Sequence, residues 1–157
     1  MNRLGIMMLV AVLLCLPITA TAQVSPMEWM TDNECKTVSS IYPNGKRAVM
    51  LTLLYTGQIS VSLAGSLATE DDRQNPRLKQ KQVLTVNGIK LLTATKYAAG
   101  TNSLLQLPMT QEGQATLREA VQHGKPVTFR YYSNTATAYF PPLVEGEKAL
   151  AECKLPL

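Results

Sequence analysis

The stretch that decides the fold is Val83-Leu84-Thr85-Val86-Asn87-Gly88-Ile89-Lys90-Leu91-Leu92. Two strand-like runs separated by Asn-Gly are the strongest short-range signal for a β-hairpin, because both turn residues tolerate a positive φ. The chain is therefore expected to fold around antiparallel strands.

Further strand signals lie on both sides of this hairpin. Before it, Ala48 to Tyr55 is apolar and β-branched, and Ile59, Val61 and Leu63 then alternate with small residues. Such alternation is typical of a strand with one buried face. Tyr42-Pro43-Asn44-Gly45 predicts a turn ahead of these strands. After the hairpin, Ser103 to Leu107 predicts a short strand that stops at Pro108.

The segment from Thr110 to His123 is predicted to be a helix. Thr110 is a good N-cap residue, Leu117 and Val121 fall on one apolar stripe, and Gly124 is suited to end the helix. His123 is the only histidine. It lies at a helix end without a neighbouring carboxylate or serine, so we expect a structural role for it.

A second hairpin is predicted at 127–140, with a turn at Ser133-Asn134 and a last strand over Thr137 to Phe140. This hairpin concentrates the aromatic residues, and strand alternation should bury half of them and expose the other half. Pro141-Pro142 ends it, and Glu145 to Glu152 predicts a short helix. The expected fold is mainly β, an antiparallel β-sandwich or a β-dominated α+β fold. It would have six to eight strands, one medium helix and a short C-terminal helix.

The cysteines predict one covalent closure of this domain. Of the three cysteines, Cys15 lies in the N-terminal segment that is predicted to be removed, and Cys35 and Cys153 lie near the two ends of the domain. These two allow only one intramolecular pairing. An intermolecular bridge and a redox or metal role are the alternatives, although no C-x-x-C spacing supports the latter.

Residues 1–22 are predicted to be a secretory signal peptide. Arg3 precedes an apolar run from Leu4 to Leu16, and Ala20-Thr21-Ala22 offers small residues for cleavage between Ala22 and Gln23. Residues 23–157 would then form a single domain in the periplasm or outside the cell. A membrane anchor would need a longer apolar run, and a lipoprotein would need a small residue before Cys15.

The composition and net charge of the chain limit the classes of partner that we expect. The chain carries a formal charge of +4, hydrophobic residues make up 46% and charged residues 17%. Removal of Arg3 leaves a milder positive charge without a concentrated basic stripe, which disfavours a nucleic-acid partner. No second apolar run predicts a membrane span in the mature chain.

No catalytic, cofactor-binding or metal-binding residue is predicted, because the chain lacks Gly-x-Ser-x-Gly, a phosphate-binding loop and zinc-ligand spacing. We therefore expect a protein that is not an enzyme and that binds a protein partner. Lys79 and Lys81, on one face by alternation, indicate either a protected strand edge or a basic contact face. The tryptophan indicates either packing beside the disulfide or a surface anchor, and the tyrosines indicate either packing or an interface. The candidate partner surface comprises Trp29, Lys79, Lys81, Tyr131, Tyr132 and Tyr139.

The last third of the chain resembles small exported bacterial proteins similar to invasion-associated locus B and to VasI. The shared pattern is a helix, a Gly-Lys-Pro-Val-Thr-Phe segment, a tyrosine-rich strand pair, and a proline-leucine step into a short helix with a terminal cysteine. Here these are Leu117 to Val121, Gly124 to Phe129, Tyr131 to Phe140, and Pro142-Leu143 through Ala149 to Cys153. Gly146-Glu147 replaces the glycine-aromatic pair expected before the terminal helix, and the additional internal cysteines of the first family are absent.

This resemblance implies a β-sandwich and an accessory role outside the cytoplasm, and it carries over no catalytic residue. The first hypothesis is therefore a periplasmic or secreted binding or accessory protein of a secretion or envelope system. An immunity or inhibitor protein that blocks a toxin or lytic enzyme is the alternative, and a small hydrolase is the third hypothesis.

Overall fold

The structure, a computed structural model, describes residues 27–44, 47–64, 68–75, 77–99 and 102–153. The predicted signal peptide and its cleavage site at Ala22 and Gln23 lie outside the described residues. None of the helices in the described ranges combines the length and the hydropathy that a membrane-spanning helix requires.

Nine strands and three helices make up the described part of the chain. The strands are β1 (Met30–Thr31), β2 (Thr37–Asn44), β3 (Arg47–Leu54), β4 (Ile59–Ala64), β5 (Lys79–Val86), β6 (Ile89–Ala98), β7 (Ser103–Pro108), β8 (Val127–Tyr131) and β9 (Asn134–Ala138). The helices are α1 (Glu70–Gln74), α2 (Gln111–Val121) and α3 (Leu143–Glu152).

All nine strands belong to one antiparallel sheet in the order β1-β2-β3-β4-β7-β6-β5-β8-β9. The mainly β, antiparallel prediction is therefore confirmed. The sheet curls until β2, near one end, contacts β9 at the other, where the rings of Tyr42 and Tyr139 lie 5.6 Å apart. Curling lets one continuous sheet enclose its own core.

Strand alternation fills this core. Val49, Leu51 and Leu53 of β3 are buried while the residues between them are partly exposed, and Val61 and Leu63 of β4 continue the buried cluster. Helix α2 adds Leu117 and Val121. This apolar burial stabilises the fold by roughly 25 cal/mol for each Å² removed from water.

The sequence-predicted hairpin is confirmed as β5 and β6. Val86 pairs with Ile89, and the turn residues Asn87 and Gly88 adopt φ values of 48° and 86°. The predicted α2 is confirmed as well, since the Thr110 hydroxyl accepts a hydrogen bond from the backbone N–H of Gly113 at 3.0 Å.

Cys35 and Cys153 form the predicted disulfide, with their Cα atoms 5.6 Å apart. A side chain shapes the loop around Cys35, because the Asp32 carboxylate accepts hydrogen bonds from the backbone N–H groups of Lys36 and Thr37. Cys35 sits in this loop at φ 53°. The bridge fastens α3 to the chain that follows β1.

Three local predictions were wrong. Tyr42, Pro43 and Asn44 belong to β2 instead of a turn, and Gly45 lies outside the described residues. The polar residues 69–82 predict a solvated loop that runs into a strand, but they contain α1 ahead of the start of β5. The turn of the second hairpin is Tyr132-Ser133, because Tyr131 pairs with Asn134, so β9 begins and ends earlier than predicted.

Candidate functional site

An open groove of about 890 Å³ lies where the two ends of the curled sheet approach each other. Three aromatic side chains from distant parts of the sequence line it. Trp29 precedes β1, Tyr42 lies on β2, and Tyr139 follows β9. We call it the aromatic groove. Its volume falls within the range of about 300–1,000 Å³ that is typical of ligand sites.

Helix α3 fixes the Trp29 wall of the aromatic groove. The indole Nε1 donates a hydrogen bond to the carbonyl oxygen of Pro142 at 3.2 Å. The ring lies against the backbone of Gly146, so closely that a Cβ atom there would come within 2.7 Å of Trp29 Cδ2. Glycine at 146 is therefore what allows the ring to pack on the helix, and Trp29 forms a preorganised wall.

Tyr42 and Tyr139 face the groove as a tilted ring pair at 43°. Tyr139 is 48% exposed, whereas Phe140 beside it is 4% exposed. In the second hairpin, Tyr131 is buried and Tyr132 is exposed. The prediction that half of these four aromatic side chains would be buried is therefore confirmed.

Two carboxylates lie among the aromatic walls. Glu28 precedes Trp29 in the chain, and Glu145 lies in the first turn of α3. Both residues are exposed, and neither forms an ion pair within the described part of the chain. Their neighbours on α3 are compensated, since Glu147 pairs with Arg118 and Glu152 pairs with Lys148. The groove is therefore acidic although the chain as a whole is basic.

His123 also lines the aromatic groove, and its Nε2 lies 2.7 Å from Nε2 of Gln122. Among the groove-lining residues that the structure describes there is no serine, threonine or cysteine to act as a nucleophile beside it. No group of three or more metal-ligating side chains occurs among the described residues.

The remaining sequence-predicted surface residues lie elsewhere. Lys81 and Tyr132 line a smaller pocket of about 320 Å³ together with Arg130. Tyr131 also borders this pocket, but it is 1% exposed, and burial raises the pKa of its hydroxyl. Tyr131 is therefore a core residue, which corrects its place in the predicted surface.

Lys79 forms ion pairs with two carboxylates of α1. Its Nζ atom lies 2.6 Å from Asp71 Oδ2 and 2.9 Å from Asp72 Oδ1. A bulge between Lys79 and Gln82 adds one residue to β5, and Lys81 adopts φ 57° there. The alternation that was expected to place Lys79 and Lys81 on one face is thereby broken.

Burial of the Asp72 carboxyl raises its pKa, but hydrogen bonds from Thr69 and Lys79 outweigh this and hold the pKa below its ordinary value. Thr69 and Asp72 form a reciprocal capping box at the start of α1, with the Thr69 N–H donating to Asp72 Oδ2 at 2.9 Å. Hydrogen bonds from Lys79 and Asn75 lower the pKa of Asp71, and its two carboxylate partners raise the pKa of Lys79. This acidic and basic cluster is therefore internally satisfied and holds α1 on the sheet.

No family description, curated protein or solved structure matches the chain.

Of the six predicted surface residues, the structure brings only Trp29 and Tyr139 together in the aromatic groove. Sequence reasoning missed Tyr42, because its Pro-Asn-Gly neighbours indicated a turn. It also missed Glu28 and Glu145, since nothing in a single sequence links two glutamates so far apart. The signal that could have joined them was the disulfide, which brings the N-terminal segment beside α3.

Proposed function

We propose that the protein is a non-enzymatic binding or accessory protein, exported to the periplasm or secreted, that serves a secretion or envelope system. It receives a protein partner in the aromatic groove. The observation that carries this proposal is the meeting of Trp29, Tyr42 and Tyr139 around one open concavity.

The physical character of the groove supports partner binding. Tryptophan and tyrosine dominate the residues that contribute most to binding at protein interfaces, since each buries a large rigid surface. Trp29 is already immobilised by Pro142 and Gly146. A preorganised wall loses little side-chain entropy when a partner arrives, and this raises affinity.

The proposed location draws on three features. The signal-like segment at residues 1–22 and the C-terminal resemblance to small exported proteins both favour export. A disulfide between Cys35 and Cys153 is most stable in an oxidising compartment.

The absence of a serine, threonine or cysteine from the described lining of the groove supports a binding role over nucleophilic catalysis. The imidazole of His123 lies beside the amide of Gln122, whereas a hydrolase would need an orienting carboxylate there.

Photo-crosslinking in the producing cell tests the proposal. A photoreactive amino acid placed at Tyr139 in the full chain should trap one defined protein partner. The same group at Tyr55, which is 70% exposed and lies outside the groove, should not trap that partner. Tyr139→Ala should also lower recovery of the partner in a pull-down, whereas Tyr55→Ala should leave it unchanged.

The identity of the trapped protein separates the hypotheses. A secretion or envelope component supports the accessory role. A stoichiometric toxin or lytic enzyme whose activity falls on binding would replace it with the inhibitor role. Equal trapping from both positions would contradict the proposed site. Turnover of cell-wall or ester substrates by the purified protein would contradict a non-enzymatic role.

A further inference from the structure

We propose that the partner enters the aromatic groove with an arginine side chain. This inference rests on the proposed function and names the chemistry that the groove selects. Its basis is that Glu28 and Glu145, two carboxylates without an ion-pair partner among the described residues, line the same groove as three aromatic rings.

The negative charge of the groove is complementary to that of a cationic side chain. The other glutamates of α3 are already paired, with Arg118 and Lys148, but the two glutamates of the groove have no ion-pair partner among the described residues. An incoming cation is therefore not in competition with a described lysine or arginine. At the edge of an apolar groove such a cation interacts more strongly than it would in bulk water.

The aromatic rings decide which cation fits. A guanidinium group stacks on tryptophan and tyrosine faces and also donates paired hydrogen bonds to carboxylates. An ammonium group does the second less well, because it lacks the planar fork. Trp29 and the Tyr42–Tyr139 pair are the aromatic rings of the groove, and Glu28 and Glu145 are its carboxylate acceptors.

The smaller pocket offers an internal contrast. It is lined by Lys81 and Arg130 beside Tyr132, so its charge is opposite to that of the aromatic groove. The two concavities therefore do not compete for one cationic segment. A second copy of this chain is the competing occupant, because it carries the basic residues of the smaller pocket, Lys81 and Arg130, on its own surface.

The only tryptophan of the chain lies in the groove wall, so its fluorescence reports occupancy directly. The probe is the blocked peptide acetyl-Ala-Arg-Ala-Arg-Ala-amide, titrated into the purified protein. The matched control is the same peptide with citrulline, which keeps the shape of arginine without its charge. We expect a saturable change in Trp29 fluorescence with the arginine peptide, with a Kd of about 0.1–1 mM.

Variants locate the interaction. The double variant Glu28→Gln/Glu145→Gln should weaken binding about tenfold, because it removes both charges from exposed positions without changing side-chain volume. The control Glu112→Gln/Glu119→Gln changes two exposed glutamates of α2 and should bind like the wild type. Raising the salt concentration from about 0.01 to about 0.15 M should weaken binding of the wild type more than that of the groove variant.

Three results would overturn the inference. They are equal binding of the citrulline peptide, unchanged binding by Glu28→Gln/Glu145→Gln, and no saturable response to the arginine peptide. Self-association that sedimentation detects in the wild type and that this variant abolishes would overturn it in favour of a second copy. If crosslinking at Tyr139 still traps a partner while the arginine peptide fails, the proposed function survives and only the arginine inference is lost.

Discussion

At the level of single residues, Gly146 sets the position of the Trp29 ring. Because a Cβ atom at 146 would lie 2.7 Å from the ring, Gly146→Ala forces the indole or the helix to move. Overpacking of this kind typically costs about 1–3 kcal/mol. The same substitution would otherwise stabilise a helix interior by up to about 1 kcal/mol.

Gly146→Ala should therefore lower the free energy of unfolding by about 1–2 kcal/mol in the wild type. In a Trp29→Ala background the clash is gone, and the substitution should become neutral or stabilising. Urea denaturation of the four proteins in this double-mutant cycle measures the coupling. An identical effect of Gly146→Ala in both backgrounds would show that the ring and the glycine do not interact.

The lowered pKa of Asp72 makes the stability of the protein depend on pH in the acid range. Its pKa lies below the ordinary value of 3.8, so its stabilising contribution is present above that pH. The contribution is lost as the pH falls through the lowered pKa of the folded protein. Asp72→Asn should cost roughly 1–3 kcal/mol near pH 6, because Lys79 and Thr69 lose a charged, buried acceptor.

This difference between the wild type and Asp72→Asn should shrink as the pH falls below 3.8 and the Asp72 carboxyl becomes protonated in the folded protein. Urea denaturation across the acid range follows it. Glu70→Gln is the control, since its side chain is 69% exposed and its charge contributes little. A cost of Asp72→Asn that does not depend on pH would refute the assigned role of the charge.

At the level of elements, Gln114 fastens helix α2 to the sheet. Its Oε1 accepts the N–H of Ile59 at 2.8 Å, and its Nε2 donates to the carbonyls of Ile59 and Pro108 at 3.2 and 3.1 Å. One amide thus satisfies backbone groups at the ends of two strands, β4 and β7.

Gln114→Ala leaves these backbone groups unpaired and should lower the free energy of unfolding by about 1–3 kcal/mol. Gln111→Ala, on the same helix but exposed, should change it by less than about 0.5 kcal/mol. Thermal unfolding followed by circular dichroism distinguishes the two variants. Equal effects would mean that helix propensity, and not the bridging amide, decides the stability of α2.

The elements that could be predicted from the sequence are those whose local signals agree with their packing. The Asn87-Gly88 turn and the Thr110 cap are of this kind, and both appear where expected. Strand β2 could not be predicted, since proline and asparagine usually mark turns. Pro43 is tolerated there because β1 pairs with β2 only as far as Ser39, so that among the described strands none is hydrogen-bonded to β2 at Pro43 on that side.

The sequence missed helix α1 and misplaced the turn of the second hairpin, for different reasons. The segment of α1 is short and acidic, and only its capping box, Thr69 with Asp72, could have indicated a helix. The turn at Tyr132 requires φ 51°, which tyrosine rarely adopts, so residue types favoured Ser133-Asn134 instead. There the pairing of Tyr131 with Asn134 overrides local preference.

At the level of the whole molecule, the Cys35–Cys153 bridge closes nearly the entire described chain. The two cysteines are 118 residues apart in sequence. Loop-closure entropy predicts that such a bridge stabilises the folded state by about 4–5 kcal/mol. Cys35→Ser/Cys153→Ser should lower the free energy of unfolding by up to this amount, as measured by urea denaturation.

The wild type treated with dithiothreitol serves as the control and should lose a similar amount. A loss below about 1 kcal/mol in both cases would show that the unfolded chain is little restricted by the bridge. The pairing itself was predictable, because only two cysteines follow the signal-like segment. The aromatic groove could not be predicted, because its walls meet only after the sheet has curled and the disulfide has linked α3 to the N-terminal segment.

The bridge also determines how the molecule responds to mechanical tension. A pull applied between residues 27 and 153 passes through the first few described residues and then directly across the sulfur–sulfur bond. The strands from β2 to β9 carry none of that force, because all of them lie between the two bridged cysteines in the sequence. Only β1 and the Trp29 segment lie in series with the force. Tension applied in this way would therefore displace β1 and Trp29 while the strands from β2 to β9 stayed folded.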